Sequence, residues 1–269
     1  MQSLPPEKAR RVRMNRFVLS LSKHWLKVVI VVLALYVGLS VVTPVLMAAG
    51  LEGPARALYT IYAPFCHQFA FRSIFIGGEQ SFYPRAIAQS GLEPFEGFVY
   101  NDPSFLSSYQ FYYQRSHGGQ VAPNPTAEEL ASTFTPWMQF ASKDFPGNAQ
   151  MGFKMTLCAR DEAIYFGLLI GALIYSIPRV RRRLRPVPIL LFVFLGLVPI
   201  AIDGGSQLLG YPPFNLWPPR ETLPFFRVTT GLIFGLMSAW LAFPYLEESF
   251  AETRRSVENK LRRAGITVE

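Results

Sequence analysis

Long apolar blocks alternate with basic segments along this chain. The first block, residues 28–50, contains no charged residue and matches the roughly 20 residues that an α-helix needs to cross about 30 Å of hydrocarbon. Three further blocks follow at residues 163–177, 187–209 and 225–246. The pattern predicts an all-α fold, a four-span transmembrane helical bundle with an inserted aromatic-rich extracytoplasmic segment.

The second block is short, at roughly 22 Å for a rise of about 1.5 Å per residue. No proline lies between Gly147 and Ala163, so we expect its helix to begin earlier, near Met155. The predicted segments are a basic arm (1–27), span one (28–50), an extracytoplasmic segment with an inserted cap (51–154), span two (155–178), a basic loop (179–186), span three (187–210), an extracytoplasmic loop (211–224), span four (225–246) and a tail (247–269).

Basic residues fix the expected orientation. Lys and Arg are concentrated in the arm, in the loop after span two and in the tail. The positive-inside rule assigns these segments, and with them both termini, to the cytoplasm. Span one is too long for a signal peptide and lacks a clear cleavage site, so we interpret it as an uncleaved anchor. We expect a multi-pass protein of the cytoplasmic (inner) membrane of a prokaryote.

The net charge of +8 changes the expected partners little. Because the basic residues adjoin the apolar blocks, we expect membrane lipids, and no nucleic acid, to be their partner. The aromatic-rich residues 77–152 are too long for a bare linker and are a candidate docking segment for other subunits of a membrane complex.

Within that segment, five aromatic side chains lie close together and are interpreted as a small core, an interfacial belt or a docking patch: Phe105, Tyr109, Phe111, Tyr112 and Tyr113. Further along, Thr126 and Glu129 have the spacing of a capping box, which predicts a helix over residues 127–134.

Polar side chains recur at helical spacing near the outer ends of spans two to four. They form three predicted faces at similar depth: Cys158, Asp161 and Tyr165; Asp203 and Gln207; Arg227 and Thr230. A charged group at membrane level is costly unless paired, so their convergence is a functional-site hypothesis.

Asp203 is the most informative of these residues. An ionised Asp inside a span costs about 2.5 to 3.5 kcal/mol on insertion scales, so it needs a cation. Arg227, Arg160 and Arg72 are the available candidates. One interpretation is that Asp203 and Arg227 only hold spans three and four together.

Pairs of glycines favour close approach of spans two and four. Gly167 and Gly171 lie in span two, and Gly231 and Gly235 lie in span four, each pair with GxxxG spacing. We therefore expect these two helices to be neighbours in a compact bundle.

Six motifs carry a resemblance to a known family: Cys66-His67-Gln68, Arg72-Ser73, Cys158-Ala159-Arg160, Tyr165-Phe166-Gly167, Asp203-Gly204 with Gln207, and Arg227-Val228-Thr229-Thr230-Gly231. Their order resembles the pattern of the DUF2085 family of prokaryotic membrane proteins. The chain departs from that pattern at Asp161, where the family usually has another cysteine, and in the roughly 90 residues between Cys66 and Cys158. The resemblance implies an integral membrane protein and gives no activity.

Three kinds of chemistry are open for the two cysteines. A structural disulfide between Cys66 and Cys158 would close a loop of about 90 residues, worth roughly 4 to 5 kcal/mol in the chain-entropy model. A Zn²⁺ site is the second alternative, with Cys66, His67, Cys158 and Asp161 as ligands. The third is a redox-active thiol pair, or a quinone- or lipid-binding pocket, with Cys66 activated by Arg72 or His67.

Hydrolysis by Ser73, His67 and Asp161 is less favoured, because no nucleophile elbow accompanies these residues.

Two candidate functions follow from these interpretations of the polar residues. The first is an accessory or scaffold subunit of a membrane complex, with the polar motif stabilising the bundle. The second is a membrane-embedded enzyme or metal-binding protein acting on a lipid, quinone or thiol. A sealed disulfide would favour the first, and an open pocket lined by the polar residues would favour the second.

Overall fold

The computed structural model describes residues 6–266. Its helices are α1 (Pro6–Ala48), α2 (Glu52–Tyr62), α3 (Phe95–Val99), α4 (Pro103–Ser116), α5 (Ala127–Ser132), α6 (Pro136–Asp144), α7 (Ala159–Ser176), α8 (Pro178–Arg183), α9 (Ile189–Leu209) and α10 (Pro224–Arg263). Its strands are β1 (Ser73–Gly77), β2 (Gly147–Asn148) and β3 (Gly152–Cys158). The protein is therefore mostly helical.

Three helices of the described chain, α1, α9 and α10, are long and apolar enough to cross a membrane. The fourth candidate, α7, has 18 residues and carries Arg160, Asp161 and Glu162 in its first turn, so it is too charged to count among them. A membrane protein with three candidate spans is what these lengths and compositions support. The prediction of four spans stays a prediction.

The first and last helices extend far beyond the apolar blocks. α1 has 43 residues and α10 has 40, which at about 1.5 Å per residue is roughly twice the thickness of the hydrocarbon layer. Leu19 of α1 packs with Val257 and Leu261 of α10 in a small cluster of buried side chains. The helices therefore continue past the predicted span boundaries at residues 27 and 247, and the boundaries themselves stay predictions. The two outermost parts of the predicted arm and tail, residues 1–5 and 267–269, lie outside the described residues.

A three-stranded antiparallel sheet corrects the all-α prediction. The strand order is β1-β3-β2, and Phe75 of β1 pairs with Lys154 of β3. The prediction that a helix begins near Met155 is wrong, because Met155 is a buried residue of β3 and α7 begins only at Ala159. The partner strand β1 is about 80 residues away in sequence, so no local sequence pattern predicts that β3 forms.

Residues 69–157, which we call the cap, enclose an aromatic core of their own. Phe95 contacts Phe105 and Phe145 edge to face, with ring centroids 5.7 and 6.1 Å apart. Phe105 is fully buried, whereas Phe111 is exposed on the surface of the cap. The predicted capping box is confirmed: Thr126 and Glu129 each bond the other's backbone N–H, and the helix they start, α5, ends at Ser132.

Close packing of α7 on α10 is confirmed at the glycines. A Cβ on Gly231 would lie 2.6 Å from the carbonyl oxygen of Arg160, and one on Gly167 would lie 2.7 Å from that of Leu232. The two main chains are therefore in direct contact. This contact fixes the first turn of α7 beside the first turns of α10, where the polar residues lie.

Candidate functional site

A cavity of about 530 Å³ lies where the cap meets the N-terminal ends of α7 and α10 and the C-terminal half of α9. It is lined by His67, Phe69, Arg72, Phe134, Pro136, Gln139, Cys158, Arg160, Asp161, Gly204, Gln207, Leu208, Tyr211, Pro212 and Arg227. Seven of these residues belong to the polar set predicted from sequence. The predicted convergence at one place is thus present in the structure.

Asp203 is paired with Arg160. The carboxylate lies in a π-helical stretch of α9, Ala201–Gly205, and forms a salt bridge with the guanidinium of Arg160 from the first turn of α7. Gly204 makes room for this contact, because a Cβ there would lie 2.8 Å from Nη1 of Arg160. The interpretation that Asp203 and Arg227 hold α9 and α10 together as a pair is therefore wrong.

Arg227 and Arg72 share a different carboxylate, that of Glu221. Arg72 binds it with two hydrogen bonds, from Nη2 to Oε1 at 2.6 Å and from Nε to Oε2 at 3.3 Å. Arg227 and Gln207 donate to Oε2, and the Tyr211 hydroxyl donates to Oε1 at 3.0 Å. Glu221 is thus the centre of a buried cluster that joins the cap, α9, α10 and the loop before α10.

The charge state of this cluster follows from its contacts. Burial alone would raise the pKa of the Glu221 carboxyl, but the guanidiniums of Arg72 and Arg227 outweigh it and hold that pKa below its ordinary value. Burial, and then the negative charge of Glu221, raise the pKa of Tyr211. Glu221 is therefore ionised at neutral pH and Tyr211 is a neutral donor.

The cavity wall and the layer behind it differ in charge. Arg72, Arg160 and Arg227 line the cavity, whereas the carboxylates of Asp203 and Glu221 contact these guanidiniums from behind. Asp161 is the acidic member of the lining. The wall therefore presents three cations and one anion to the cavity.

One donor of this wall is unused. The Nε atom of Arg160 is buried and has no hydrogen-bond partner within residues 6–266. A buried donor without a partner costs about 1 to 3 kcal/mol, so the position is one where an additional acceptor would be stabilising.

The two cysteines lie beside each other as free thiols, so the predicted disulfide between Cys66 and Cys158 is not formed. The Sγ atom of Cys158 donates to Oδ2 of Asp161 at 3.1 Å, and its backbone N–H donates to Sγ of Cys66 at 3.2 Å. A side-chain hydrogen bond between the two thiols, together with burial, raises the pKa of the Cys158 thiol. One donor atom from each of the three residues lies within 4.8 Å of the other two.

An unusual backbone turn holds Cys66 in place. Gln68 has a φ of +56°, in the left-handed region that non-glycine residues rarely adopt. Its side chain donates to the carbonyl of Tyr59 at 2.9 Å, and its own carbonyl accepts from Nζ of Lys154 at 2.7 Å. Burial lowers the pKa of Lys154 to about 7. These contacts support a strained turn next to a cysteine.

Other predicted residues have structural roles or stand apart. Ser73 donates to the carbonyl of Phe69, and Thr230 to that of Phe226, each inside its own segment. Tyr165 packs on Tyr36, with ring centroids 4.6 Å apart. His67 lies at the cavity but is exposed and is not one of the three clustered donor residues, so the predicted four-ligand set is reduced to three.

Sequence reasoning missed Glu221, Tyr211 and Lys154. A signal for the first was present: Glu221 is the one acidic residue between Tyr211 and Pro224, a stretch that immediately precedes an arginine-bearing helix. Lys154 gave no comparable signal, because the carbonyls that it contacts come from distant segments.

Comparisons with known proteins match the part of the chain that carries most of the cavity residues, from Cys158 to Arg227. Residues 149–241 match the family described as predicted membrane protein (DUF2085), which confirms the resemblance over that segment. An uncharacterized protein of Methanocaldococcus jannaschii is 32% identical over 97 residues, which are 36% of this chain and 56% of the relative. The chain thus matches little more than half the length of that relative. No solved structure matches the chain.

Proposed function

We propose that this membrane protein binds an anionic group, a phosphate or a carboxylate, of a membrane-borne amphiphile in the cavity beside α7, α9 and α10. The observation that carries the proposal is the arrangement of Arg72, Arg160 and Arg227, whose guanidiniums line the cavity while their carboxylate partners lie behind them. Guanidiniums in a fixed orientation are the usual protein ligands of phosphate and carboxylate.

The rest of the wall suits an amphiphile. Phe69, Phe134 and Leu208 add apolar surface next to the arginines. A pocket with a mainly apolar lining and a few convergent polar groups is the common form of a small-molecule site. The two carboxylates of the second layer keep the guanidiniums oriented before any ligand arrives, which lowers the entropic cost of binding.

Membrane placement supports the same function. α7 exposes Phe166, Leu173 and Ile174 along its length, as a lipid-facing helix would, and we propose it as the fourth span. With the basic segments on the cytoplasmic side, both termini would be cytoplasmic and the cavity would open near the outer surface of the inner membrane of a prokaryote. An amphiphile would reach it from the adjoining lipid layer.

A role as an accessory or scaffold subunit is the second candidate. It is favoured by apolar side chains that the cap exposes, among them Phe111, Val121 and Phe140. A cluster that served only to hold the bundle together would need no open wall of arginines, so ligand binding is the function we place first.

The test uses the full chain in detergent and isothermal titration calorimetry with three probes: a short-chain phosphatidic acid, a short-chain phosphatidylcholine and inorganic phosphate. The double substitution R160Q/D203N removes a guanidinium and its partner together, so no buried charge is left alone. We expect it to weaken phosphatidic acid binding roughly tenfold to a hundredfold, the value of one or two charge-assisted hydrogen bonds.

Arg220 supplies the matched control, because it is exposed and lies next to Glu221 without lining the cavity. R220Q should bind phosphatidic acid as the wild type does. Preference for phosphatidic acid over inorganic phosphate assigns the site to an amphiphile, and equal affinity assigns it to the free anion. Equal weakening by R220Q and R160Q/D203N, or no binding of either anionic probe, would overturn the proposal.

A further inference from the structure

Three donor atoms of metal-ligand type converge at the edge of the cavity, apart from the arginines. They are the thiol sulfurs of Cys66 and Cys158 and a carboxylate oxygen of Asp161, all within 4.8 Å of one another. In a tetrahedral zinc site with Zn–S distances of about 2.3 Å, neighbouring sulfurs are about 3.8 Å apart. The three groups are therefore close to the spacing that one ion requires.

The backbone around Cys66 presents hydrogen-bond donors to its sulfur. Its Sγ accepts hydrogen bonds from two backbone N–H groups, that of Cys158 at 3.2 Å and that of Gln68 at 3.5 Å. The second bond depends on the left-handed conformation of Gln68, which buried contacts of its side chain and carbonyl maintain. Amide donors that bond a ligand sulfur fix its position, which is one role of outer contacts in metal sites.

The geometry points to a site for one Zn²⁺ or a similar divalent ion, held by Cys66, Cys158 and Asp161. On binding, the ion displaces the proton of each thiol to solvent, and the Cys158 proton no longer bridges to Asp161. Two sulfurs and one oxygen suit zinc among the common divalent ions. The inference rests on the two cysteines and is independent of the anionic ligand proposed above.

Three protein ligands leave one tetrahedral position open, as catalytic zinc sites do. Cys158 and Asp161 both line the large cavity, so the open position faces it. Arg160 follows Cys158 in the chain and faces the same space. The arrangement would let a water or an oxygen of a cavity-bound anion complete the coordination.

Cobalt(II) titration of the reduced, full-length protein in detergent tests the site. We expect one equivalent to produce a thiolate-to-cobalt charge-transfer band, and equimolar Zn²⁺ to remove it. C66S and C158S should abolish the band, and D161N should weaken cobalt binding at least tenfold. H67A is the matched control, because His67 adjoins Cys66 and lines the cavity without joining the cluster, and it should titrate as the wild type does.

A second measurement needs no variant and so does not depend on how C66S folds. Zn²⁺ should slow alkylation of Cys158 in the wild-type protein at least tenfold. Absence of the charge-transfer band, its persistence in C158S, or an alkylation rate that Zn²⁺ leaves unchanged would overturn the inference. R160Q/D203N should keep the cobalt band while it loses phosphatidic acid, so failure of one proposal is distinguishable from failure of the other.

Discussion

Two buried arginine–glutamate clusters lie on either side of Tyr211, and the arginines of one of them line the cavity described above. In the cap, Arg85 binds Glu96 at 3.1 Å, with both side chains no more than 2% exposed. In the other, Arg72 and Arg227 bind Glu221. The Tyr211 hydroxyl touches both, accepting from Arg85 at 3.4 Å and donating to Glu221.

The difference lies in what each arginine has left to donate. Arg85 also binds the backbone carbonyls of Leu130, Ala131 and Thr133, which are the free carbonyls at the end of α5. All three guanidinium nitrogens of Arg85 therefore donate hydrogen bonds to other groups of the protein. The arginines of the second cluster, with Arg160, line open space instead. Burial and ion pairing are therefore common to both clusters, and what distinguishes the second is that its arginines line the cavity.

The largest effect is expected in the closed cluster. R85M leaves Glu96 buried without its cation and leaves the end of α5 without donors, so it should destabilise the cap by about 3 to 5 kcal/mol. The thermal unfolding midpoint in detergent measures this loss. R220M, at an exposed arginine, should stay within about 0.5 kcal/mol of the wild type. A stable R85M protein would contradict the structural role of the closed cluster.

E221Q should destabilise the folded protein less than R85M does, by about 2 to 3 kcal/mol at neutral pH, because glutamine still accepts some of the hydrogen bonds. The pKa of Glu221 lies below its ordinary value of 4.5, so its contribution is complete above pH 4.5 and is lost as the pH falls through the lowered value. Unfolding midpoints measured against pH should show wild type and E221Q converging in acid. A constant difference down to low pH would show that Glu221 is not the titrating group.

A third buried basic side chain, whose nitrogen donates only to the protein, resembles the cluster around Arg85. Lys154 donates to the carbonyls of Gln68, Ser142 and Lys143, and K154M should leave these without donors at a cost of about 2 kcal/mol. The Gln68 turn should loosen and alkylation of the buried Cys66 should accelerate. K143M makes the same substitution at the half-buried Lys143 and should leave the alkylation rate unchanged.

Y211F should have the smallest effect, about 1 kcal/mol, because it removes one hydroxyl shared by both clusters. Double-mutant cycles can divide that value between them. We expect stronger coupling of Y211F with E221Q than with R85M, since the bond to Glu221 is 3.0 Å and the bond from Arg85 is 3.4 Å. The reverse order would place Tyr211 with the closed cluster.

Local patterns predicted contacts between residues that are close in sequence, although Cys158 ends β3 and precedes α7 and does not lie on the predicted helical face. The spacing of Cys158 and Asp161 gave their contact, the glycine pairs gave the packing of α7 on α10, and Thr126 with Glu129 gave a helix start. Each of these signals depends on residues a few positions apart.

Partners from distant segments were beyond such patterns. Asp203 had three candidate arginines, and the choice of Arg160 depends on how α7 and α9 pack around Gly204. Glu221 reaches the site because its loop folds back over the end of α9, and β3 forms where a helix was expected because β1 pairs with it. These outcomes are set by tertiary structure rather than by local propensity.

The glycine contacts between α7 and α10 have a consequence for what the cavity can accommodate. At Gly231 and Gly235 backbone meets backbone, so no side chain is present that could change rotamer and let the two helices separate. The opposite side is built from the π-helical turns of α9 and a proline-rich loop, whose hydrogen bonding is less regular. The cavity thus has one rigid side, formed by α7 and α10, and one more deformable side, formed by α9 and the loop. A ligand of different size would be accommodated by movement on the side of Asp203, while Arg227 keeps its position.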